Sequence, residues 1–154
     1  MRFSAVVTTL TITAATTHAA TNTIHNNCAY DIWYTSVGSK NPAPPEKLSA
    51  GQYAEEEQYF DTTGTAIKIT KSETGLYTSK PVLHFAYSYN KGKQIYYGLS
   101  SHAGFDFWGE KLTLGPIEGE SGTVITWDGK PGVDYTAAYL GGELDLILVL
   151  CAKK

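Results

Sequence analysis

The sequence is poor in three features that would each point to a particular class of protein. It has two cysteines in 154 residues, 12 basic against 15 acidic side chains, and after the first 20 residues no apolar run long enough to cross a membrane. A nucleic-acid-binding protein would carry a basic patch, and a membrane-spanning helix needs about 20 apolar residues. We therefore expect no nucleic-acid partner, no membrane span and a monomeric chain.

Motifs for metal binding and nucleophilic catalysis are also missing. The histidines His25, His84 and His102 lack the close His-x-His or His-Glu-x-x-His spacing of metal sites. Ser101, just before His102, lacks the Gly-x-Ser-x-Gly surroundings of a nucleophile elbow. No metal and no cofactor are expected, and His84, which alternates with strand residues, is interpreted as a partly buried side chain.

Residues 1–19 have the pattern of a secretory signal peptide. A basic start at Met1-Arg2-Phe3 leads into an uncharged apolar stretch that ends in Thr17-His18-Ala19-Ala20, and small residues are typical of the cleavage site. Cleavage after Ala19 leaves residues 20–154 as one secreted domain. Cleavage before His18 would instead free an N-terminal histidine able to bind copper with His84 or His102, but Thr17 is a poorer final signal residue than Ala19.

The two cysteines lie near the two ends of the secreted domain. Cys28 and Cys151 form an even pair in a chain expected to mature outside the cell, where disulfides persist. One bridge between them would close a loop over most of the domain and stabilise it by about 4–5 kcal/mol on the chain-entropy argument.

Apolar residues alternate with polar ones in short runs, which predicts strands rather than helices. In Val82–Tyr89 every second side chain is large and apolar, and the turn sequence Asn90-Lys91-Gly92-Lys93 separates this run from another extended segment. We therefore predict an all-β, antiparallel β-sandwich in a single domain. Further strands are expected at 22–26, 30–35, 66–70, 111–114, 123–127 and 144–151, and a short helical turn at Pro45–Leu48 or Asp134–Tyr139.

The last run has a different pattern. Leu144–Cys151 is almost continuously apolar, which is typical of a central strand covered on both faces. Asp145 is interpreted as a solvated carboxylate at its entrance.

The segment from Ile24 to Trp33 resembles the opening strands of thaumatin-like proteins, which read Ile-x-Asn-x-Cys-x-Tyr-x-aliphatic-Trp. Leu48-Ser49-Ala50-Gly51-Gln52 is similar to the segment that follows in that family, and Cys151 matches its last cysteine, which pairs with the first. The resemblance implies a sandwich core containing Ile24, Tyr30 and Trp33.

A resemblance over the whole secreted domain is to a small fungal family of yeast-phase-specific, or antigenic, thaumatin-like proteins. It rests on the Cys-x-Tyr-x-Ile-Trp opening, on Gly104-Phe105-Asp106-Phe107-Trp108 and on the single terminal cysteine. Larger thaumatin-like proteins have a cysteine-rich domain that forms one wall of an acidic cleft, and this chain has no room for it. The resemblance implies a fungal protein at the cell wall or outside the cell. Because the second wall of the cleft is missing we expect a non-enzymatic role, and the abundant aromatic residues suggest that the protein binds a glycan or a host component.

Asp106 is the weak candidate for a catalytic residue. Glycoside hydrolysis needs two carboxyl groups about 5–9.5 Å apart, and thaumatin-like clefts carry an aspartate in a comparable stretch. Asp31, Asp61 and Glu110 are possible partners, and the sequence does not choose among them. This alternative is a weak β-glucan hydrolase; otherwise Phe105 and Phe107 fill the core and Asp106 caps a turn.

Asp106 and Trp108 are also the predicted binding residues, because a carboxylate beside an exposed aromatic ring suits a sugar. A third alternative is a protein-binding antigen or effector with a flat apolar patch. Alternation along a strand would split Glu55-Glu56-Glu57 between two faces, so we interpret these residues as a solvated edge rather than a metal site.

Overall fold

The computed structural model describes residues 20–40 and 42–153, which fold into two stacked sheets. The strands are β1 (Thr21–Asn26), β2 (Ile32–Val37), β3 (Glu46–Leu48), β4 (Tyr53–Glu57), β5 (Thr65–Thr70), β6 (Val82–Asn90), β7 (Gln94–His102), β8 (Lys111–Pro116), β9 (Ile125–Asp128), β10 (Tyr135–Tyr139) and β11 (Leu146–Leu150), with a one-turn 3-10 helix at Gly75–Tyr77. The predicted signal peptide, and with it the alternative that begins at His18, lies outside the described residues.

The sheets have five and six strands, in the orders β4-β1-β11-β8-β9 and β10-β7-β6-β5-β2-β3. All neighbouring strands are antiparallel except β1 and β11, which run parallel. The predicted all-β, antiparallel sandwich is therefore confirmed. Within the described residues no helix is long and apolar enough to span a membrane.

The long hairpin β6–β7 shows how the sequence pattern forms the core. Leu83, Phe85, Tyr87 and Tyr89 are buried, whereas the residues between them are mostly less buried. Gly92 has φ 66°, a backbone conformation that favours glycine in the turn. The inner faces of both sheets meet in one apolar core.

The two ends of the domain meet in the five-stranded sheet. β1 lies beside β11, with Ile24 opposite Leu148. Beyond these strands the disulfide Cys28–Cys151 is formed, with 5.0 Å between the Cα atoms, so the predicted bridge is confirmed. Asp145 is more than a solvated carboxylate, because its Oδ1 accepts hydrogen bonds from the Thr21 backbone N–H at 2.6 Å and from the Thr21 hydroxyl at 3.1 Å.

Three expectations are corrected. Neither Glu46–Leu48 nor Tyr135–Tyr139 is helical: they form β3 and β10, because each finds a neighbouring strand to pair with. β11 is a central strand as predicted, but only its inner face is fully covered. Its outward side chains Ile147 and Val149 are half-buried, since none of the described strands lies over this face of the sheet.

Trp33 is also not the core tryptophan. It lies on the face opposite Ile32, as expected, but Ile32 takes the inward position and is fully buried. Trp33 is half-buried on the outer face, with Lys47 Nζ 6.0 Å from its ring centroid. The tryptophan in the core is Trp127, at 2% exposure, while Ile24 is buried and Tyr30 packs at the core margin.

Candidate binding groove on the outer face of the six-stranded sheet

A row of short side chains crosses the outer face of the six-stranded sheet. Strand pairing places Val37 opposite Ala66, Ala66 opposite Ala86, Ala86 opposite Gly98, and Gly98 opposite Thr136. Successive side chains on a strand point to opposite faces, so these five positions share the outer face. Because none of them is long, the sheet surface forms a trough there.

This trough is the floor of a groove with a volume of about 570 Å³, within the range of ligand sites in proteins. Tyr96 and Tyr135 line it and are 38% and 53% exposed. Hydroxyl groups of Thr63, Ser88 and Ser100 are also among the lining groups. Exposed aromatic rings beside hydroxyl groups offer a ligand both stacking and hydrogen bonds.

Gly98 leaves the floor of the groove open and allows β10 to lie close to β7. A Cβ atom at this position would lie 2.8 Å from the carbonyl oxygen of Tyr135, which is too close for a side chain to fit without moving β10. The glycine thus permits close pairing of β10 with β7 and removes one side chain from the groove floor.

One basic residue, Lys68, lines the groove, and two histidines, His84 and His102, follow it on the same face of the sheet beyond the lining residues. Lys68 is paired with His84, and His84 with Ser100. The rings of His84 and His102 are nearly parallel, with centroids 6.4 Å apart. Burial is the largest cause that lowers the pKa of His84, and the positive charges of Lys68 and His102 lower it further. His84 is half-buried, in agreement with its predicted placement.

A second cavity of about 280 Å³ adjoins the groove, since Gly38 lines both. Its other lining groups include Lys40, Tyr59 and Phe60, and the Phe60 ring is 63% exposed. A Cβ at Gly38 would lie 2.8 Å from Asp61 Oδ2, so glycine is required where this loop meets the carboxylate. The two cavities together extend the concave surface past the end of β2.

Two of the possible catalytic partners of Asp106 are held in other interactions. Asp61 accepts hydrogen bonds from the backbone and hydroxyl groups of Ser39 and Thr63, which keep its pKa well below the usual range. Asp31 accepts a hydrogen bond from Lys47 at 2.6 Å, and this contact is the largest cause of its lowered pKa. A general acid needs a raised pKa, so neither aspartate is suited to be the acid, whereas the nucleophile or base beside it is an ionised carboxylate.

The structure separates the aromatic residues around Asp106. Phe105 and Phe107 are buried in the core, as the alternative to a catalytic role for Asp106 expected. Trp108 is 66% exposed, with its ring edge-on to Phe105 at 5.6 Å between centroids. Neither Asp106 nor Trp108 lines the three cavities described here. Trp108 is accessible to a ligand, and its role with Asp106 in binding stays a prediction.

The three consecutive glutamates are split by strand alternation. Glu55 and Glu57 are exposed, whereas Glu56 points between the sheets and accepts a hydrogen bond from the Tyr87 hydroxyl at 3.0 Å. Burial raises the pKa of Glu56, partly offset by its hydrogen bonds. The cavity beside Glu56 is about 10 Å³, which leaves room for no more than a water molecule. Among residues 20–40 and 42–153 no three acidic, histidine or cysteine side chains are grouped to hold a metal.

The interior position of Glu56 is the polar feature that the sequence pattern did not single out. Gln58, also buried, donates from its Nε2 to the carbonyl oxygen of Leu144 at 2.9 Å and to Asn22 Oδ1 at 3.0 Å. These contacts join β1, the end of β4 and the entrance to β11. They form a structural network rather than a ligand site, because the adjacent cavity is too small for a substrate.

Comparison with known proteins gives a similar solved structure and a matching family. A crystal structure of the protein elicitor MoHrip2 from Magnaporthe oryzae is similar, with a TM-score of 0.69 and 25% sequence identity over 87% of this chain and 100% of that one. The sequence matches no curated protein. A family profile described as "Bys1: Blastomyces yeast-phase-specific protein" matches residues 9–152. The chain therefore belongs to the Bys1 family of fungal yeast-phase-specific proteins.

Proposed function

We propose that this protein is a secreted fungal protein of thaumatin-like type, which acts at the cell wall or outside the cell by binding an extended glycan without catalysis. The observation that carries the proposal is the groove of about 570 Å³ across the outer face of the six-stranded sheet. Its floor of short side chains and its exposed tyrosines suit a flat chain of sugar rings, because sugars present apolar faces to aromatic rings and hydroxyl groups at their edges.

Secretion is supported by two independent features. The pattern of residues 1–19 is that of a signal peptide, and the disulfide Cys28–Cys151 is of a kind that persists in oxidising surroundings. The thaumatin-like assignment is supported by the Ile24–Trp33 segment. The non-enzymatic role is supported by the position of Asp106, the candidate acid, which lines none of the three cavities.

Filling the groove with a large side chain tests the proposal directly. Ala86 lies in the middle of the groove floor, and replacing it with Trp would occupy the space of one sugar ring. We expect Ala86→Trp to weaken pull-down of residues 20–154 by insoluble fungal cell-wall glycan at least about tenfold, equivalent to about 1.4 kcal/mol. Circular dichroism and the unfolding midpoint establish that the variant is folded.

The matched control is Thr113→Trp. Thr113 points outward from β8, in the middle of the other sheet, so the same side chain is added where no groove exists. Binding of this variant is expected to equal that of the unmodified protein. Equal binding by Ala86→Trp would remove the groove as the glycan site.

A second candidate function is recognition by a host component, and the observation that favours it is the similarity to the protein elicitor MoHrip2. In this case the folded protein binds host-cell extracts but not the glycan.

The remaining hydrolase alternative is tested by Asp106→Asn. We expect no release of sugar from β-1,3-glucan by either the variant or the unmodified protein, and hydrolysis that disappears in the variant would overturn the non-enzymatic assignment.

A further inference from the structure

The outward strand positions of the six-stranded sheet carry no carboxylate, in a protein that has more acidic than basic residues, although Asp134, just before β10, lines the groove on this face. The outward positions of its strands follow from pairing and alternation. None of them is Asp or Glu, and the charged side chains among them are Lys47 and Lys68. His84 and His102 add two imidazole rings to the same face.

The outer face of the five-stranded sheet has the opposite character. Its outward strand positions carry three acids, Glu55, Glu57 and Asp128, and one lysine, Lys111. The difference is therefore local to one face and does not follow from the composition of the chain.

Lys68 is the central positive group of the groove. It lines the groove, its side chain is half-buried, and it forms no ion pair with any side chain of the described residues. Lys47, by contrast, is paired with Asp31 at 2.6 Å. Asp134 also lines the groove but forms no ion pair with Lys68. A half-buried ammonium group that no carboxylate pairs with, in a ligand-sized groove, is best matched by a ligand that brings the negative charge.

From this geometry we infer that the ligand of the groove is an acidic glycan, a polymer of sugars with carboxylate groups, whose negative charges lie over Lys68, His84 and His102. The inference rests on the proposed function, since it names the chemical class of the glycan in that groove. The two tyrosines contact the sugar rings, and the ammonium and imidazolium groups bind the carboxylates. A nucleic acid is a poorer match, because it requires a longer array of basic groups along its phosphates.

The same cluster makes binding depend on pH. The groups that face His84 are Lys68 on β5 and His102 on β7, and Asp134 lines the groove near the start of β10. Without a ligand, burial and the two neighbouring positive groups lower the pKa of His84. A bound carboxylate favours the protonated ring of His84, so binding takes up a proton and strengthens as the pH falls.

The test compares two soluble sugar polymers with residues 20–154 as the protein. Oligogalacturonate carries one carboxylate per sugar, whereas a β-1,3-glucan oligomer is neutral. By calorimetry we expect oligogalacturonate to bind at least about tenfold more tightly than the neutral oligomer at about pH 5. Its affinity should fall at least about threefold at about pH 7.5 and should fall with added salt.

Matched variants separate the groove from the general charge of the protein. Lys68→Gln is expected to weaken oligogalacturonate binding about tenfold, whereas Lys111→Gln, on the other face, leaves it unchanged. The double variant with His84→Gln and His102→Gln is expected to lose the pH dependence of binding, whereas the variant His25→Gln, on β1, is expected to keep it. Circular dichroism confirms that each variant is folded.

The outcomes distinguish the inference from the proposed function. Binding of the neutral oligomer as tightly as the acidic one, with Lys68→Gln unaffected, overturns the acidic-glycan inference and leaves the glycan-binding proposal in place. Equal loss in Lys68→Gln and Lys111→Gln shows non-specific charge attraction and also overturns the inference. If the protein binds neither of the two polymers and does not bind insoluble wall material, the proposed function itself is overturned.

Discussion

The two sheets of this sandwich share one core but differ in what each contributes. The five-stranded sheet holds the first and last strands side by side, the disulfide Cys28–Cys151 and an outer face rich in carboxylates. In the six-stranded sheet every pair is antiparallel, and its outer face carries the groove and the unpaired Lys68. The features that stabilise the fold and the surface proposed for binding are therefore on opposite sides of the molecule, so each can be altered with little effect on the other.

The largest effect on stability is expected at the disulfide. Replacing both Cys28 and Cys151 with Ser should lower the free energy of unfolding by about 4–5 kcal/mol, because the bridge restricts the unfolded chain over most of its length. Urea unfolding measures this loss. Glycan binding at low temperature should be retained, since the groove lies on the other sheet. A folded double variant that no longer binds would contradict the separation of the two sheets.

Two tryptophans compare a core position with the outer face. Trp127, at 2% exposure, belongs to the core, and Trp127→Ala should cost about 3–5 kcal/mol. Trp33 is half-buried on the outer face, and Trp33→Ala should cost about 1–2 kcal/mol from the apolar area it covers. Chemical denaturation of the two variants gives both values. Equal costs would mean that the outer face of β2 is covered as thoroughly as the core.

Two exposed aromatic residues decide between the groove and the loop predicted from the sequence. Tyr96 lines the groove, and Trp108 lies in the loop between β7 and β8. Tyr96→Ala should weaken glycan binding about five- to tenfold, equivalent to about 1 kcal/mol of lost ring contact. Trp108→Ala should leave binding through the groove unchanged. If only Trp108→Ala lost binding, the prediction of Asp106 and Trp108 as the site would hold and the groove would not be the site.

The smallest expected effect is at Glu56. Burial raises the pKa of this carboxyl, so the folded protein holds the proton more tightly than the unfolded chain. The resulting stability is present at a pH below the ordinary pKa of glutamate and is lost as the pH rises through the raised pKa. Glu56→Gln removes this loss and should raise stability near pH 7 by less than about 1 kcal/mol, with no gain near pH 3.

Thermal unfolding from about pH 3 to pH 7 measures this difference. Glu57→Gln is the control, because Glu57 is exposed on the same strand. A gain that is independent of pH, or equal in the two variants, would show that burial of the Glu56 charge has no measurable cost.

The sequence predicts the fold better than the site, and the reason is physical. The alternation of apolar and polar residues along β6 indicates which side chains face the core, because this pattern lies within a single strand. The groove depends on pairing: Ala66, Ala86 and Gly98 are far apart in sequence and become neighbours only through the register of β5, β6 and β7. Each is an unremarkable small residue when read alone.

Short segments and single aromatic residues also limit what can be predicted from the sequence. The segment Tyr135–Tyr139 has too few residues to show a period, and pairing with β7 makes it a strand. Trp33 could be placed on the face opposite Ile32 from alternation, but the choice of which face is covered depends on the second sheet. Glu56 was recognised as alternating with its neighbours, yet its contact with Tyr87 depends on how the two sheets meet.

The parallel pairing of β1 with β11 also fixes when this protein can finish folding. A ribosome releases β1 first and β11 last, so β1 exposes an unpaired edge during nearly all of synthesis. The hairpin β6–β7 pairs residues that are close in the chain and can form early, and one edge of β1 can pair early with β4. The other edge of β1 must wait for β11, more than a hundred residues away. Cys28 likewise has no native partner until the end of the chain emerges. Emergence of the final strand is therefore the step that completes the five-stranded sheet.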